Sequence, residues 1–306
     1  MDSTDDTIRR LRDMIRRRQG GRPKAPSPAS KPASQPAPAS EGLVFRRDLP
    51  HLPSPGRWAV QAITGPFVSL QQAVGGEEFT LEDGRRHYLL RQSLADLPGG
   101  WEGLCERFRC TCGQGPMDAW GLDGVSVDSP ADIAFLDLET TGLGNCMVFL
   151  AGVMGWEGDG LVVRQFLARD YSEESAILAT LRQWLAPRRV LVTFNGKSFD
   201  WPMLCVRAAT NGLAWRFDLT HLDLLHASRR LMRGRVPDCR LQTLERHLCH
   251  RVRGDDIPGS AIPEAYHAFV RGGNASQLAM IAKHNRLDLM TLADLMVRLA
   301  TMEGRL

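Results

Sequence analysis

The sequence predicts an α/β protein, a mixed sheet flanked by helices, on three observations. Three strand-like runs follow one another at residues 133–139 (IAFLDLE), 147–156 (MVFLAGVMGW) and 161–169 (LVVRQFLAR), and the last two are parted by the turn sequence EGDG, as in an antiparallel meander. Beyond residue 170 strands alternate with helices, the pattern of a sheet that carries helices on its faces. The chain then closes on a long amphipathic helix, expected from about residue 276 to 300, in which Leu287, Met290, Leu292, Leu295 and Leu299 supply apolar surface.

Taken from the start, residues 1–24 hold eight Lys or Arg against four Asp, with Ile8, Leu11, Met14 and Ile15 on one face of a helix. This segment reads as a solvated terminal helix or as a basic contact to nucleic acid or a partner. Residues 25–40 (APSPASKPASQPAPAS) offer nothing to bury, and their prolines favour polyproline II, so a disordered, semi-rigid linker is expected. Three parts are therefore expected: helix and linker over 1–42, a small β-rich segment of unassigned role over 43–130, and the helix-flanked sheet over 131–306. In the second part Asp83-Gly84, between two short apolar runs, reads as a hairpin turn. In the third, residues 173–186 repeat apolar side chains at helical spacing (Ile177, Leu178, Leu181, Trp184, Leu185) and stop at Pro187. VLVTF (190–194) is a continuous apolar strand of the kind buried on both faces, followed by a helix from about Phe199 and a short strand at 222–225.

With 306 residues, 43% hydrophobic and 24% charged, the chain is too apolar to be disordered throughout, and at +3 it is no polycation. Any case for nucleic acid rests on local charge. Seven cysteines are too few and scattered for a disulfide scaffold, which points to a reducing compartment. Cys105, Cys110 and Cys112 give three thiolates without a fourth at zinc spacing and read as unrelated thiols. The N-terminus lacks the apolar core of a secretory signal. The longest apolar run, 146–153, is far short of the ~20 residues that cross a bilayer. A soluble, cytoplasmic protein with no membrane contact is expected.

Four carboxylates fall at informative places. Asp137 and Glu139, at i and i+2 near the end of the first strand, emerge on one face, where like charges repel unless a cation joins them or water solvates them. Mg²⁺ is a cation of that kind, because it takes carboxylate oxygens while retaining waters. Thr140, Thr141 and Gly142 follow as a tight exit able to approach a ligand. After VLVTF, the run NGKSFD places Asn195, Lys197 and Asp200 at a strand end and helix start, where α/β sheets bind ligands. Helix capping would explain Asp200 alone but not the amide and ammonium beside it. His284 and Asp288, at i and i+4 of the final helix, share a face as site residues or as an ordinary surface pair.

These stretches, DLETTG, FNGKSFD and HNRLD in that order, resemble the three motifs of the DEDD superfamily of 3′–5′ exonucleases, which have a ribonuclease H-like fold. More closely they resemble the YprB-type ribonuclease H-like family, with FLAGV, RQFLARD, HLDLLHASRRL, CRLQTLER and the element from Ile262 and Pro263 to Tyr266 in support. The resemblance spans about residues 133–299 and leaves the first hundred or so uncovered.

The resemblance implies two-metal-ion phosphodiester hydrolysis on single-stranded DNA or RNA. Asp137 would bridge two Mg²⁺ or Mn²⁺ ions, with Glu139 and Asp288 on one of them and Asp200 acting directly or through water. His284 would orient or deprotonate the attacking water. The superfamily carries a Tyr four residues before the last Asp, or a His five before it, whereas His284 stands four before Asp288. One residue turns a helix by about 100°, so His284 takes the Tyr position and its role stays open between base and positioning group. Asp223, at another strand end, stays outside the metal set as a supporting or merely solvated residue.

Between Arg229 and Arg253 eight Arg, Arg240 among them, stand against Asp238 and Glu245, a local net of +6 suited to holding phosphates or to a solvated helix face. Trp201 reads as a stacking surface for a base or as core. A metal-dependent 3′–5′ exonuclease is the leading expectation. A structure-specific endoribonuclease, a catalytically silent nucleic-acid-binding module and an interaction scaffold are the alternatives.

Overall fold

A computed structural model describes residues 66–97, 101, 103–112, 127, 129–142 and 146–303, all within one compact unit, Trp58–Leu306. The expected N-terminal helix and linker, and residues 43–65 and 113–126 of the β-rich segment, lie outside the described residues. The α/β expectation is met by a seven-stranded mixed sheet with helices against it.

The described chain begins with helix α1 (Leu70–Val74) and a hairpin of β1 (Glu77–Thr80) and β2 (Arg86–Ser93), followed by α2 (Leu104–Cys112). The meander expected next is β3 (Ile133–Thr140), β4 (Val148–Glu157) and β5 (Gly160–Leu167). After α3 (Glu174–Leu185) come β6 (Val190–Thr193), α4 (Asp200–Thr210) and β7 (Thr220–Asp223). Four helices complete the chain: α5 (Leu224–Met232), α6 (Leu241–Leu248), α7 (Ile262–Gly272) and α8 (Ser276–Glu303). Spatially the strands run β1-β2-β5-β4-β3-β6-β7. Only the β3–β6 and β6–β7 pairs are parallel.

The Asp83-Gly84 turn forms as expected, with Gly84 at φ 83 and its amide on Leu81 O at 2.9 Å. Its hairpin continues the main sheet, since β2 pairs with β5 from Tyr88 to Ser93. The strand expected at 222–225 ends two residues early, because the Asp223 carboxylate accepts from Leu225 N at 3.1 Å and thereby caps α5.

Side chains alternate along β3 between two apolar clusters. Ile133 and Phe135 pack with α2, α5, α6 and the C-terminal part of α8, while Ala134 and Leu136 pack with α3, α7 and the N-terminal part of α8. The same period carries Asp137 and Glu139 onto the face of Ile133 and Phe135.

Helix α8 lies against β3, β4 and β5, pinned by a buried amide. Asn285 is fully buried, its Nδ2 donates to Asp137 O at 3.1 Å, and its Oδ1 accepts from Gln165 Nε2 at 2.8 Å. This close approach needs Gly152 opposite, because a Cβ there would stand 2.0 Å from Asn285 Oδ1. Gly152→Ala should therefore destabilise the fold by roughly 1–3 kcal/mol, the usual cost of overpacking. Denaturant unfolding should show a lower midpoint at unchanged slope.

Candidate active site

The site forms where β3 outruns its parallel neighbour. Pairing with β6 stops at Phe135, opposite Val192, and β6 itself ends at Thr193, so the edge of β3 beyond Phe135 faces a turn and not a strand. That turn is tightly specified. Asn195 adopts φ 63, which asparagine tolerates, and a Cβ on Gly196 would meet Thr193 Oγ1 at 2.4 Å. The buried Asp223 carboxylate accepts from the backbone amides of Asn195 at 2.7 Å and Lys197 at 3.1 Å. Asp223 is thus no solvated strand end: it holds the NGK turn in place.

The turn delivers Asp200 at the start of α4, where its own amide and that of Leu138, on the uncovered edge of β3, pull its pKa down against burial. Three separated segments therefore bring Asp137, Glu139, Asp200 and Asp288 within electrostatic reach of one another. Asp137 is pushed well above the usual carboxylate range, first by burial, then by Asp288, Glu139 and Asp200. A hydrogen bond from Asn285 Nδ2 to Asp137 Oδ2 at 2.8 Å opposes this shift. Burial chiefly raises Glu139 to about 8, against the pull of His284, and raises Asp200 to about 7.

Asp288 differs from these three in having a counter-charge within the chain. Arg253, 6% exposed, approaches Asp288 Oδ1 at 2.5 Å and also contacts Glu245 at 2.7 Å and Asp256 at 3.3 Å. His284 stands between two carboxylates, with Nδ1 2.7 Å from Asp256 Oδ1 and Nε2 3.5 Å from Asp288 Oδ2. Burial alone would lower its pKa, but Asp256, Asp288 and Glu139 outweigh burial and raise it.

The arginine run divides. Arg229, Arg230, Arg233 and Arg240 line a cleft of about 970 Å³ whose wall also includes Asp137, Asn195 and Asp288. Arg251 and Arg253 turn inward: Arg251 lies over the Trp101 ring at 3.7 Å and pairs with Asp294 at 2.8 Å. The first part of the run thus lines the cleft, while Arg251 and Arg253 pair with carboxylates inside the fold. Of the remaining candidates, Lys197 is exposed, and the Thr140 hydroxyl donates to Gly142 O at 3.0 Å. Trp201 packs against Trp215, Phe217 and His221, which assigns it to the partly buried aromatic layer under α4.

Asn285, Gln165 and Asp256 escaped the sequence reading, and Arg253 figured there only as the end of the basic run. Asn285 adjoins His284 in the motif and was within reach of it. Gln165 and Asp256 carry no local signal. Among the described residues no three His, Cys, Asp or Glu side chains are grouped tightly enough to enclose an ion by themselves. A Mg²⁺-like ion needs only one or two carboxylates, with water and phosphate oxygens completing its shell, so this all-oxygen donor set fits one. All seven cysteines are free thiols, and no helix among the described residues is long and apolar enough to cross a membrane.

Residues 134–300 match the family model RNase_H_2, of the RNase_H superfamily. The chain is 30% identical over 246 residues to the uncharacterized protein YprB of Bacillus subtilis (strain 168), an alignment covering 77% of this chain. It spans 58% of the length of that relative. Among solved structures it is similar to the family B DNA polymerase of the hyperthermophilic archaeon Pyrobaculum calidifontis, at 17% identity and TM-score 0.43, over 53% of this chain and 24% of that one.

Two outcomes follow from the charges. Arg253→Met leaves Asp288, Glu245 and Asp256 without their buried partner and should cost about 3–5 kcal/mol in denaturant unfolding. A carboxyl whose folded pKa lies above its unfolded one stabilises the fold at low pH, and that stability is lost as pH rises through the folded value. In metal-free buffer Glu139→Gln should therefore gain on the wild type in thermal scans as pH rises from the ordinary 4.5 to about 8.

Proposed function

The chain belongs to the RNase_H_2 family of the RNase_H superfamily, and from that premise we propose that it is a metal-dependent 3′–5′ exonuclease acting on single-stranded DNA or RNA in the cytoplasm. One observation carries this reading: Asp137, Glu139, Asp200 and Asp288 converge, crowded by one another, beside a cleft rimmed with arginines. Those four carboxylates would hold two Mg²⁺ or Mn²⁺ ions. Bound there, the cations lower the pKa of the attacking water and neutralise charge on the leaving oxygen.

The chain's own groups do the rest. Asn285 fixes the Asp137 carboxylate through Oδ2. His284 presents Nε2 beside Asp288, placed to order the attacking water or take its proton. Arg229, Arg230, Arg233 and Arg240 grip phosphates along the cleft, whose wall Asn195 joins, and the exposed Lys197 follows two residues on in the same turn. Thr140, next to Glu139, ties the exit of β3 through its hydroxyl to Gly142 O.

A second reading, a silent nucleic-acid-binding module, draws on the Arg253 contact, which already supplies Asp288 with a cation. Purified protein with Mn²⁺ or Mg²⁺ on 5′-labelled single-stranded DNA and RNA separates the two. The exonuclease reading expects a ladder shortening from the 3′ end, abolished in Asp137→Asn; binding without cleavage would select the silent module. Arg240→Ala should weaken binding alike for all sequences and reduce the salt slope by about 1. His284→Ala should lower turnover by roughly 10² if His284 takes the proton, whereas a few-fold loss would assign it to positioning.

A further inference from the structure

We infer that Asp256 is a positioning residue of this site: its carboxylate fixes the His284 ring so that Nδ1 faces Asp256 and Nε2 faces Asp288. The order of the ring rests on geometry alone; its use in turnover rests on the nuclease reading above.

His284 is attached to a rigid helix, but its ring can still turn about the bond to Cβ, and a half-turn exchanges nitrogen for carbon at the edge that meets Asp288. An acceptor for Nδ1–H removes that freedom and sets the tautomer. Asp256 supplies it at 2.7 Å, with both side chains only 12% exposed, so water competes little for the bond. The acceptor comes from a different element, the connection between α6 and α7. There Asp255 adopts φ 37 and stays exposed, while Asp256 turns inward and Ile257 anchors the chain in the core.

Asp256 is itself held on its second oxygen, by Arg253 Nη1 at 3.3 Å and Gln242 Nε2 at 3.2 Å. Because Arg253 also grips Asp288 at 2.5 Å, Arg253, Asp256, His284 and Asp288 close into a ring of contacts. Arg253 spaces the two carboxylates, and the imidazole spans them. This arrangement suits a histidine one helical turn before Asp288, since its ring must point along the helix to bring Nε2 to that residue.

The test uses the full chain labelled with ¹⁵N-histidine, with the His284 resonances assigned by their absence in His284→Gln. The wild type should show a slowly exchanging, downfield Nδ1 proton, lost in Asp256→Ala and retained further upfield in Asp256→Asn, whose amide oxygen still accepts. On the 5′-labelled oligonucleotides Asp256→Ala should lower kcat about tenfold with KM little changed, in line with loss of one orienting hydrogen bond. Asp256→Asn should restore part of that loss, and in a His284→Ala background Asp256→Ala should cost nothing more.

An Nδ1 proton unmoved in both Asp256 variants would overturn the inference, as would an undiminished effect of Asp256→Ala in the His284→Ala background. If the alanine variant fails to fold, the asparagine variant decides by the position of that proton. If the wild type cleaves no oligonucleotide, the nuclease reading falls on its own, and the proton spectrum still decides whether Asp256 orders the ring.

Discussion

The crowding of half-buried carboxylates, withdrawn from water and repelling one another, is the constraint around which this fold is built. Asp137, Glu139 and Asp200 sit where burial and one another's charge oppose their ionisation, an arrangement that costs free energy in the isolated chain. Such a cluster persists only if the elements carrying it cannot relax apart. The β3 backbone is locked between β4 and β6, and the NGK turn is tied to Asp223 through two amides. Helix α8 is tied down by the Gln165–Asn285–Asp137 chain of hydrogen bonds over a glycine that makes room for it. Each device spends stability elsewhere to hold charges where they repel, which is the mark of a site kept for binding or chemistry.

The compensation is uneven, and that unevenness organises the arginines. Asp288 receives a buried guanidinium, while burial dominates at the other three carboxylates, opposed by His284 at Glu139, by Asn285 at Asp137 and by backbone amides at Asp200. Arg253 and Arg251 are consumed in this way, joining Glu245, Asp256 and Asp294 into a charged layer between α6, its following loop and α8. Arg229, Arg230, Arg233 and Arg240 line the cleft at its outer side. One run of sequence thus has two functions, and what separates them is which residues lie within reach of a buried carboxylate.

Much of this was legible in the sequence because it is written in short periods. Alternation along residues 133–139 placed Asp137 and Glu139 on one face, the continuous apolar run at 190–194 marked a strand buried on both sides, and the i,i+4 spacing put His284 over Asp288. What stayed hidden is tertiary. Nothing near Asp256 announces a histidine 28 residues away, and Arg253 looks the same in sequence whether it meets phosphate or Asp288. The hairpin at Asp83-Gly84 was readable as a hairpin, but its union with β5 joins residues 69 to 79 positions apart. The end of β7 was misplaced for a related reason, since Asp223 works as a cap and as the anchor of a distant turn.

The charges also bear on what the cleft can accept. Its wall carries Asp137, Asp238 and Asp288 together with Arg229, Arg230, Arg233 and Arg240, so a phosphodiester chain lying in it meets attraction at the arginines and repulsion at the carboxylates. A neutral ligand would gain from neither. A polyanion gains at the arginines only if the carboxylates are neutralised as well, whether by protons, by Arg253 or by a hard cation held on oxygen. A protonated carboxyl can give a phosphate oxygen no more than one hydrogen bond, and Arg253 is already engaged by Glu245, Asp256 and Asp288. A hard cation retains open positions that phosphate oxygens can fill. The crowding of these carboxylates thus favours the one kind of counter-charge that would link them to a phosphate.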